Sequence, residues 1–373
     1  IMDFINGLLK KIFKKEEEVC GMDIGSNTIK VAAMVRGKKG LQLTRYASCS
    51  TPPATIKDGA IVDAQTLGET IKELLRENNF PAECPIVSAV SGQSVVIRPI
   101  RMPIMTEREL STSIQYQAEQ YLPYAVSDAQ VSGLILQESI PDDPKMMEVL
   151  LVAAPKEMIT NTRELIQIAG AIPEAVDLEP FALLRALQES NPEFSTSDKT
   201  IALINLGASS GSINIFKAGL LRQNRTISVA GNSFTKAIGQ ELNLSFEEAE
   251  RFKIEKCEVL VGDDSEPVAP KTKRVFKIIV PVLNDLVRDI QLSFDYYRSK
   301  EKAESVDLVV LSGGTSRMKN IDVYLANELS IECQIANPFR SASIENVQGI
   351  EADDLEALAP MAMVVAGLAL RKQ

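Results

Sequence analysis

Two stretches of this chain, nearly half its length apart, share one pattern: Asp23-Ile24-Gly25-Ser26-Asn27-Thr28 and Asn205-Leu206-Gly207-Ala208-Ser209-Ser210. Each follows a short apolar run and carries a polar residue two before a glycine, with small hydroxyl or amide residues after it. Apolar alternation then resumes, through Ile29, Val31 and Ala33 in one case and Ile213 and Ile215 in the other. Strand, tight turn, strand is therefore predicted twice. Glycine lets the backbone pass close to a bound group, and successive N–H donors in such a turn form an anion-binding concavity. Two such turns facing one another would hold a polyphosphate between two similar domains. A lone turn of this kind is usually a plain hairpin; the duplication is what points to phosphate.

A third element follows the same logic. Val306 to Leu311 reads as a buried strand and runs into Ser312-Gly313-Gly314-Thr315-Ser316-Arg317, after which Ile321, Leu325 and Leu329 recur at helical spacing. A glycine pair between strand and helix exposes bare backbone to a flat ring or a phosphate. On its own it would be only a tight strand-to-helix connection.

In this order the three turns resemble the actin, Hsp70 and FtsA superfamily, whose members carry two phosphate loops and then an adenosine loop. The stretch from Asp23 to Lys30 is similar to actin's first phosphate loop, and Leu311 to Thr315 to its adenosine loop. Val96 to Met105 and Ala118 to Tyr124 resemble the PilM family of type IV pilus assembly proteins, in an extra subdomain shared with FtsA. The resemblance implies an α/β, actin-like (FtsA-type) two-domain ATPase fold, with duplicated mixed-sheet domains around a nucleotide cleft. It divides the chain into a segment 1–18, a first domain 19–195 with an insert at about 86–155, and a second domain 196–373 with a small subdomain at about 231–300.

The resemblance also implies ATP or ADP with Mg²⁺ as cofactors. Asp23 would hold Mg²⁺ through water, as a hard cation wants carboxylate oxygen. Gly25, Ser26, Asn27 and Thr28 would bind phosphate oxygens, and Lys30 would reach the β/γ-phosphates as a point charge. Spacing alone equally allows Lys30 to be a surface lysine on a strand. Asn205, Gly207, Ala208, Ser209 and Ser210 would form the opposing clamp, with Gly231 and Asn232 at the next helix start. Glu250 and Lys253 share a helix face and would contact ribose and base; Gly313, Gly314, Thr315 and Arg317 would flank the adenosine. Glu179 would position the attacking water, although Pro180 beside it also suits an ordinary helix start. Many superfamily members carry Asp where this chain has Asn205, and an amide supplies neither a base nor charge for a metal. Slow or negligible turnover is the expectation.

Composition bounds the alternatives. A net charge of −10 argues against nucleic acid as a partner. The chain has no histidine, which excludes Ser-His-Asp and Cys-His catalysis and most transition-metal sites. Five scattered cysteines read as thiols of a reducing compartment. No apolar run approaches the ~20 residues of a membrane span. Residues 5–15 place Ile5, Leu8, Leu9, Ile12 and Phe13 at helical spacing among four lysines. They fit either a membrane-surface or partner helix or a helix docked on its own domain. Val261–Lys273 reads as a loop, and Ser245 with Glu248 as a capping box.

For partners, the resemblance implies the N-terminal cytoplasmic peptide of a PilN-like membrane protein, lying between the insert and the first domain. It also implies other pilus-machine components, self-association, and a cytoplasmic protein recruited to the inner membrane. Arg98, Arg101, Tyr116, Tyr121 and Tyr124 are the candidate contacts, because tyrosine and arginine are enriched at binding hot spots. A small-molecule kinase and an FtsA-like division filament are the competing readings.

Overall fold

The computed structural model describes residues 19–371 except 38–39, 58, 196, 262–268, 302–304, 345–346 and 348–349. The expected N-terminal segment 1–18 and most of the expected loop at Val261–Lys273 lie outside the described residues.

The chain opens with β1 (Cys20–Ile24), β2 (Thr28–Gly37) and β3 (Gly40–Ser50), an antiparallel meander. A small hairpin of β4 (Ile56–Lys57) and β5 (Ala60–Ile61) precedes α1 (Ala64–Glu77) and β6 (Pro85–Val90). The insert follows with β7 (Val96–Pro103), α2 (Glu107–Ala118), β8 (Ala129–Gln137) and β9 (Met146–Pro155). Next come α3 (Lys156–Ile168), β10 (Ile172–Leu178) and α4 (Glu179–Ser190). The second half holds β11 (Thr200–Leu206), β12 (Gly211–Lys217), β13 (Leu220–Ile227), α5 (Gly231–Leu242), α6 (Phe246–Lys256), α7 (Pro270–Glu301), β14 (Leu308–Ser312), α8 (Ile321–Leu329) and β15 (Cys333–Ile335). The C-terminal part adds β16 (Ala342–Ser343), α9 (Ala352–Leu358) and α10 (Met363–Ala369).

The two large sheets match over five strands, with β16 an extra edge strand on the first. The first runs β10-β6-β1-β2-β3-β16 and the second β13-β12-β11-β14-β15. In each, an antiparallel meander is followed by two parallel strands beside its first member. Period-two alternation divides the side chains between the two faces. In β11, Ala202, Ile204 and Leu206 enter one core with α5 and α7, while Ile201 and Leu203 enter another with α4 and α10. In β2, Ile29, Val31 and Ala33 face α1 and α3, while Ala32 and Met34 face α9 and α10. β11 and β14 are buried along nearly their whole length, as parallel strands covered on both faces must be.

Chain order and spatial order part in two places. β6 belongs to the large first sheet, so the insert's own sheet, β7-β9-β8, begins only after it. The C-terminal segment returns to the first sheet: β16 pairs with β3, and α10 packs on β1 and α4. The α10–α4 crossing is backbone to backbone. A β-carbon on Gly367 would sit 1.8 Å from the Ala182 carbonyl oxygen, and one on Gly21 would lie 2.2 Å from that of Val365.

Local signals explain the helix ends. Ser245 and Glu248 make the reciprocal cap of α6, with the Ser245 N–H donating to Glu248 Oε2 at 2.9 Å. One boundary differs from expectation. α7 starts at Pro270, within the stretch read as loop, because proline at a first helical position forfeits no hydrogen bond.

Candidate functional site

The duplicated turns are built alike. Each is a four-residue loop closed by a strand pair, Ile24 opposite Ile29 and Leu206 opposite Gly211. In one, the Gly25 N–H donates to the Thr28 carbonyl at 3.1 Å; in the other, the Gly207 N–H donates to the Ser210 carbonyl at 3.1 Å. A β-carbon would meet that same carbonyl oxygen at 2.8 Å in the first and 2.7 Å in the second. Glycine is required by this close approach. The two loops face each other, and the Ser26 hydroxyl donates to Ser209 Oγ at 2.9 Å across the gap.

Lys30 stands directly opposite Asp23 in the β1–β2 ladder, and its Nζ lies 2.9 Å from Asp23 Oδ2. Lys30 is 7% exposed, so it is not a surface lysine. Thr51, in the Thr-Pro-Pro stretch after β3, braces this loop. Its N–H donates to the Asn27 carbonyl at 3.0 Å and its hydroxyl to that of Gly25 at 2.6 Å.

The opposite wall comes from the C-terminal ends of β11 and β14, where ligands lie in open parallel sheets. Asn205 pairs in register with Ser312, whose hydroxyl donates to Asn205 Oδ1 at 3.2 Å. Gly313 has φ +88, and a β-carbon there would lie 2.4 Å from the Leu206 carbonyl oxygen. Thr315 donates to the Gly207 carbonyl at 2.9 Å, and the Gly231 N–H donates to the same oxygen at 3.0 Å. Lys253 bonds the Gly231 carbonyl at 3.2 Å, Thr235 at 2.9 Å and Glu250 at 2.7 Å. The second glycine turn, α5, α6 and the glycine pair thus form one hydrogen-bonded unit.

Glu179, the first residue of α4, is half-buried beside the second turn. Its Oε1 accepts from Asn205 Nδ2 at 3.1 Å and from the Ser212 hydroxyl at 2.7 Å. Burial pushes its carboxyl above the usual glutamate range and the nearby Asp23 adds to this, while the Ser212 and Asn205 hydrogen bonds pull it back.

These groups enclose a cavity of about 640 Å³, lined by every nucleotide-site candidate from the sequence except Asn232. Asn232 contributes its backbone, the N–H donating to the Ala208 carbonyl at 2.7 Å. Sequence reasoning missed Ile254, Met361 and the β4–β5 hairpin, which also line the cavity. Ile254 was findable, lying one turn after Glu250 on the same face and 68% exposed; Met361 had no local signal. Among the described residues, no group of three or more His, Cys, Asp and Glu side chains converges as a metal site.

The five candidate partner contacts are not gathered in one place. Arg98 lies 4.6 Å from the centroid of the Tyr121 ring. Arg101, an odd number of residues along β7, falls on the other face. Tyr124 donates to the Ser94 carbonyl at 2.7 Å, and Tyr116 is 78% exposed on α2.

Two matching sheets clamped around glycine turns define an actin-like fold. Comparison with known proteins narrows this. A description of the Type IV pilus assembly protein PilM matches residues 21–373, and the chain belongs to that family. A solved PilM-PilN type IV pilus biogenesis complex is similar with a TM-score of 0.81 at 25% identity, covering 95% of this chain and 98% of that one. The Cell division protein FtsA of Bacillus subtilis is 24% identical over 352 residues, 85% of this chain and 78% of that protein. MreB 5 of Spiroplasma citri bound to AMPPNP shares the fold, with a TM-score of 0.54 at 10% identity and 95% of each chain covered. FtsA is thus a distant relative, and the division-filament reading is not favoured. No described helix is long and apolar enough to cross a membrane.

Proposed function

We propose that this chain binds ATP or ADP between its two glycine turns and serves as a nucleotide-loaded platform for a pilus machine. The observation that carries this is the clamp itself: two identically built N–H-bearing turns, in hydroxyl contact through Ser26 and Ser209, with Lys30 behind one of them. The cavity has the volume of a nucleotide site. Asp23 keeps Oδ1 clear of Lys30 and suits a hydrated Mg²⁺, which favours carboxylate oxygen and retains waters. Bound Mg²⁺ would neutralise phosphate charge. Slow turnover is expected, because Asn205 supplies neither a base nor charge for a metal and Glu179 Oε1 is already occupied by two hydrogen bonds.

The partner we assign is the cytoplasmic tail of a PilN-like membrane protein, which would recruit the chain to the inner membrane. Similarity to the PilM-PilN complex supports it. The groove that suits an extended tail lies between the insert and the first domain. It is lined by Lys156, Ile159, Thr160 and Arg163 of α3, by Pro173 to Val176 of β10, and by Gln130 of β8. Both β10 and β8 are edge strands, and edges accept an added strand through main-chain hydrogen bonds. Thr160→Trp with Arg163→Glu would fill and charge-reverse this groove. The double variant should lose co-purification with the tail-bearing membrane protein while keeping its nucleotide-dependent melting shift. Undiminished co-purification would move the tail elsewhere on the insert.

A further inference from the structure

The insert also meets the second domain, along a seam that neither the clamp nor the tail groove uses. β7 and β13 are edge strands of different sheets, adjacent in space without a ladder between them. Arg222 of β13 pairs with Glu148 of β9 across the seam at 2.5 Å. Beside that ion pair lies a cavity of about 360 Å³ whose walls include Arg98, Tyr121, Gln223, Tyr296 and Lys300.

Among the described residues, two buried polar atoms on these walls have no partner: Arg98 Nε and Gln223 Oε1. Their directions are fixed. Gln223 is 8% exposed and its Nε2 donates to the Ser293 carbonyl at 3.1 Å, which leaves Oε1 as an acceptor only. The Arg98 guanidinium is held over the Tyr121 ring, which leaves Nε–H as a donor. Both residues line the cavity, and buried groups of this kind are almost always satisfied, so a side-chain rotation that opens each atom to an occupant is favoured. One unmet acceptor and one unmet donor are the complement of a peptide unit. Among the described residues, neither Arg98 nor Lys300 has an ion-pair partner, so the wall carries uncompensated positive charge that favours an acidic occupant. Tyr296, 51% exposed, adds an aromatic surface.

We propose that this seam binds an extended, acidic peptide segment of a partner protein. Its backbone N–H donates to Gln223 Oε1, its carbonyl accepts from Arg98 Nε, and a carboxylate side chain pairs with Lys300. The segment would lie between two strand edges, one from each domain, and so would tie the insert to the second domain.

The test is fluorescence anisotropy on the full chain with a labelled ten-residue peptide alternating Asp and Val. Two control probes carry Lys for Asp, or N-methyl groups on alternate amides. The acidic probe should saturate, the lysine probe should not, and N-methylation should weaken binding at least tenfold. Lys300→Glu lies on the surface and will fold; it should weaken the acidic probe at least tenfold, and Gln223→Leu about fivefold. Absence of saturation, or equal affinity for the Lys300→Glu variant or the N-methylated probe, overturns the proposal. Arg163→Glu, in the tail groove, should leave this probe unaffected. If the PilN-like tail peptide displaces the probe, the seam stands as a peptide site and the groove assignment falls.

Discussion

The side-chain amide of Asn205 donates to Glu179 Oε1 at 3.1 Å while its own oxygen accepts from Ser312. An amide is the side chain of this size that can do both. Asn205→Asp replaces the donor by a second carboxylate and sets two like charges together. We expect it to lower stability by about 1–3 kcal/mol at neutral pH, as for a buried group left unsatisfied. Adding Glu179→Gln should restore most of the loss, because the amide supplies the missing donor. Thermal melts of the single and double variants at pH 7.5 check this, and additive losses would show that the two residues do not interact.

Glu179 also sets a pH dependence. Its folded carboxyl sits above the ordinary value of 4.5 because burial penalises the charge. The native state therefore holds a proton that the unfolded state has released, and stability falls as pH rises through the window above 4.5. Glu179→Gln, without added nucleotide, should melt higher than wild type at pH 8, with the difference shrinking toward pH 4.5. A difference that grows on acidification would reverse the sign of the argument.

Adjacent glycines should behave differently. Gly313 has φ +88 with a carbonyl oxygen 2.4 Å from its missing β-carbon, whereas the nearest neighbour of such a carbon on Gly314 is Met361 at 3.9 Å. Gly313→Val should destabilise the fold by more than ~1–3 kcal/mol. Gly314→Val should leave the melting temperature near wild type and abolish the shift with ATP. Circular dichroism melts with and without ATP separate the two effects.

Lys30→Ala should remove the same ATP-dependent shift by deleting charge. For the wild type that shift reflects roughly 2.7 kcal/mol at 100 times Kd. Turnover should stay far below the ~10 per second of ordinary enzymes. A Lys30→Ala protein that retains the full shift would place the phosphates elsewhere.

The clamp was legible because glycine turns, unlike packing, leave a local signature. Gly25, Gly207 and Gly313 announce close backbone approach wherever they occur, and the spacing of Glu250 and Lys253 fixes one helix face. Three things were hidden. Thr51 reads as linker, yet braces the first loop across β2 and β3. Met361 enters the cavity from a segment that no periodicity connects to it. Arg98 and Arg101 look paired in sequence, but strand alternation sends them to opposite faces. Which surface the insert turns toward each domain is a tertiary fact, and only the structure separates the groove beside α3 from the seam beside β13.

The return of β16 and α10 to the first sheet has a consequence for synthesis. The face of β1 and β2 bearing Gly21 and Ala32 is covered by Val365, Ala366 and Ala369, which are synthesised after β11 to β15. Until then the first domain has an uncovered apolar flank, and loop closure across the whole second domain must precede its completion. The second sheet shares that dependence, because Ile201 and Leu203 of β11 pack with Met363, Val364 and Leu368 of the same helix. One short C-terminal helix therefore closes both halves, and chains stalled before residue 342 should leave both sheets open to protease.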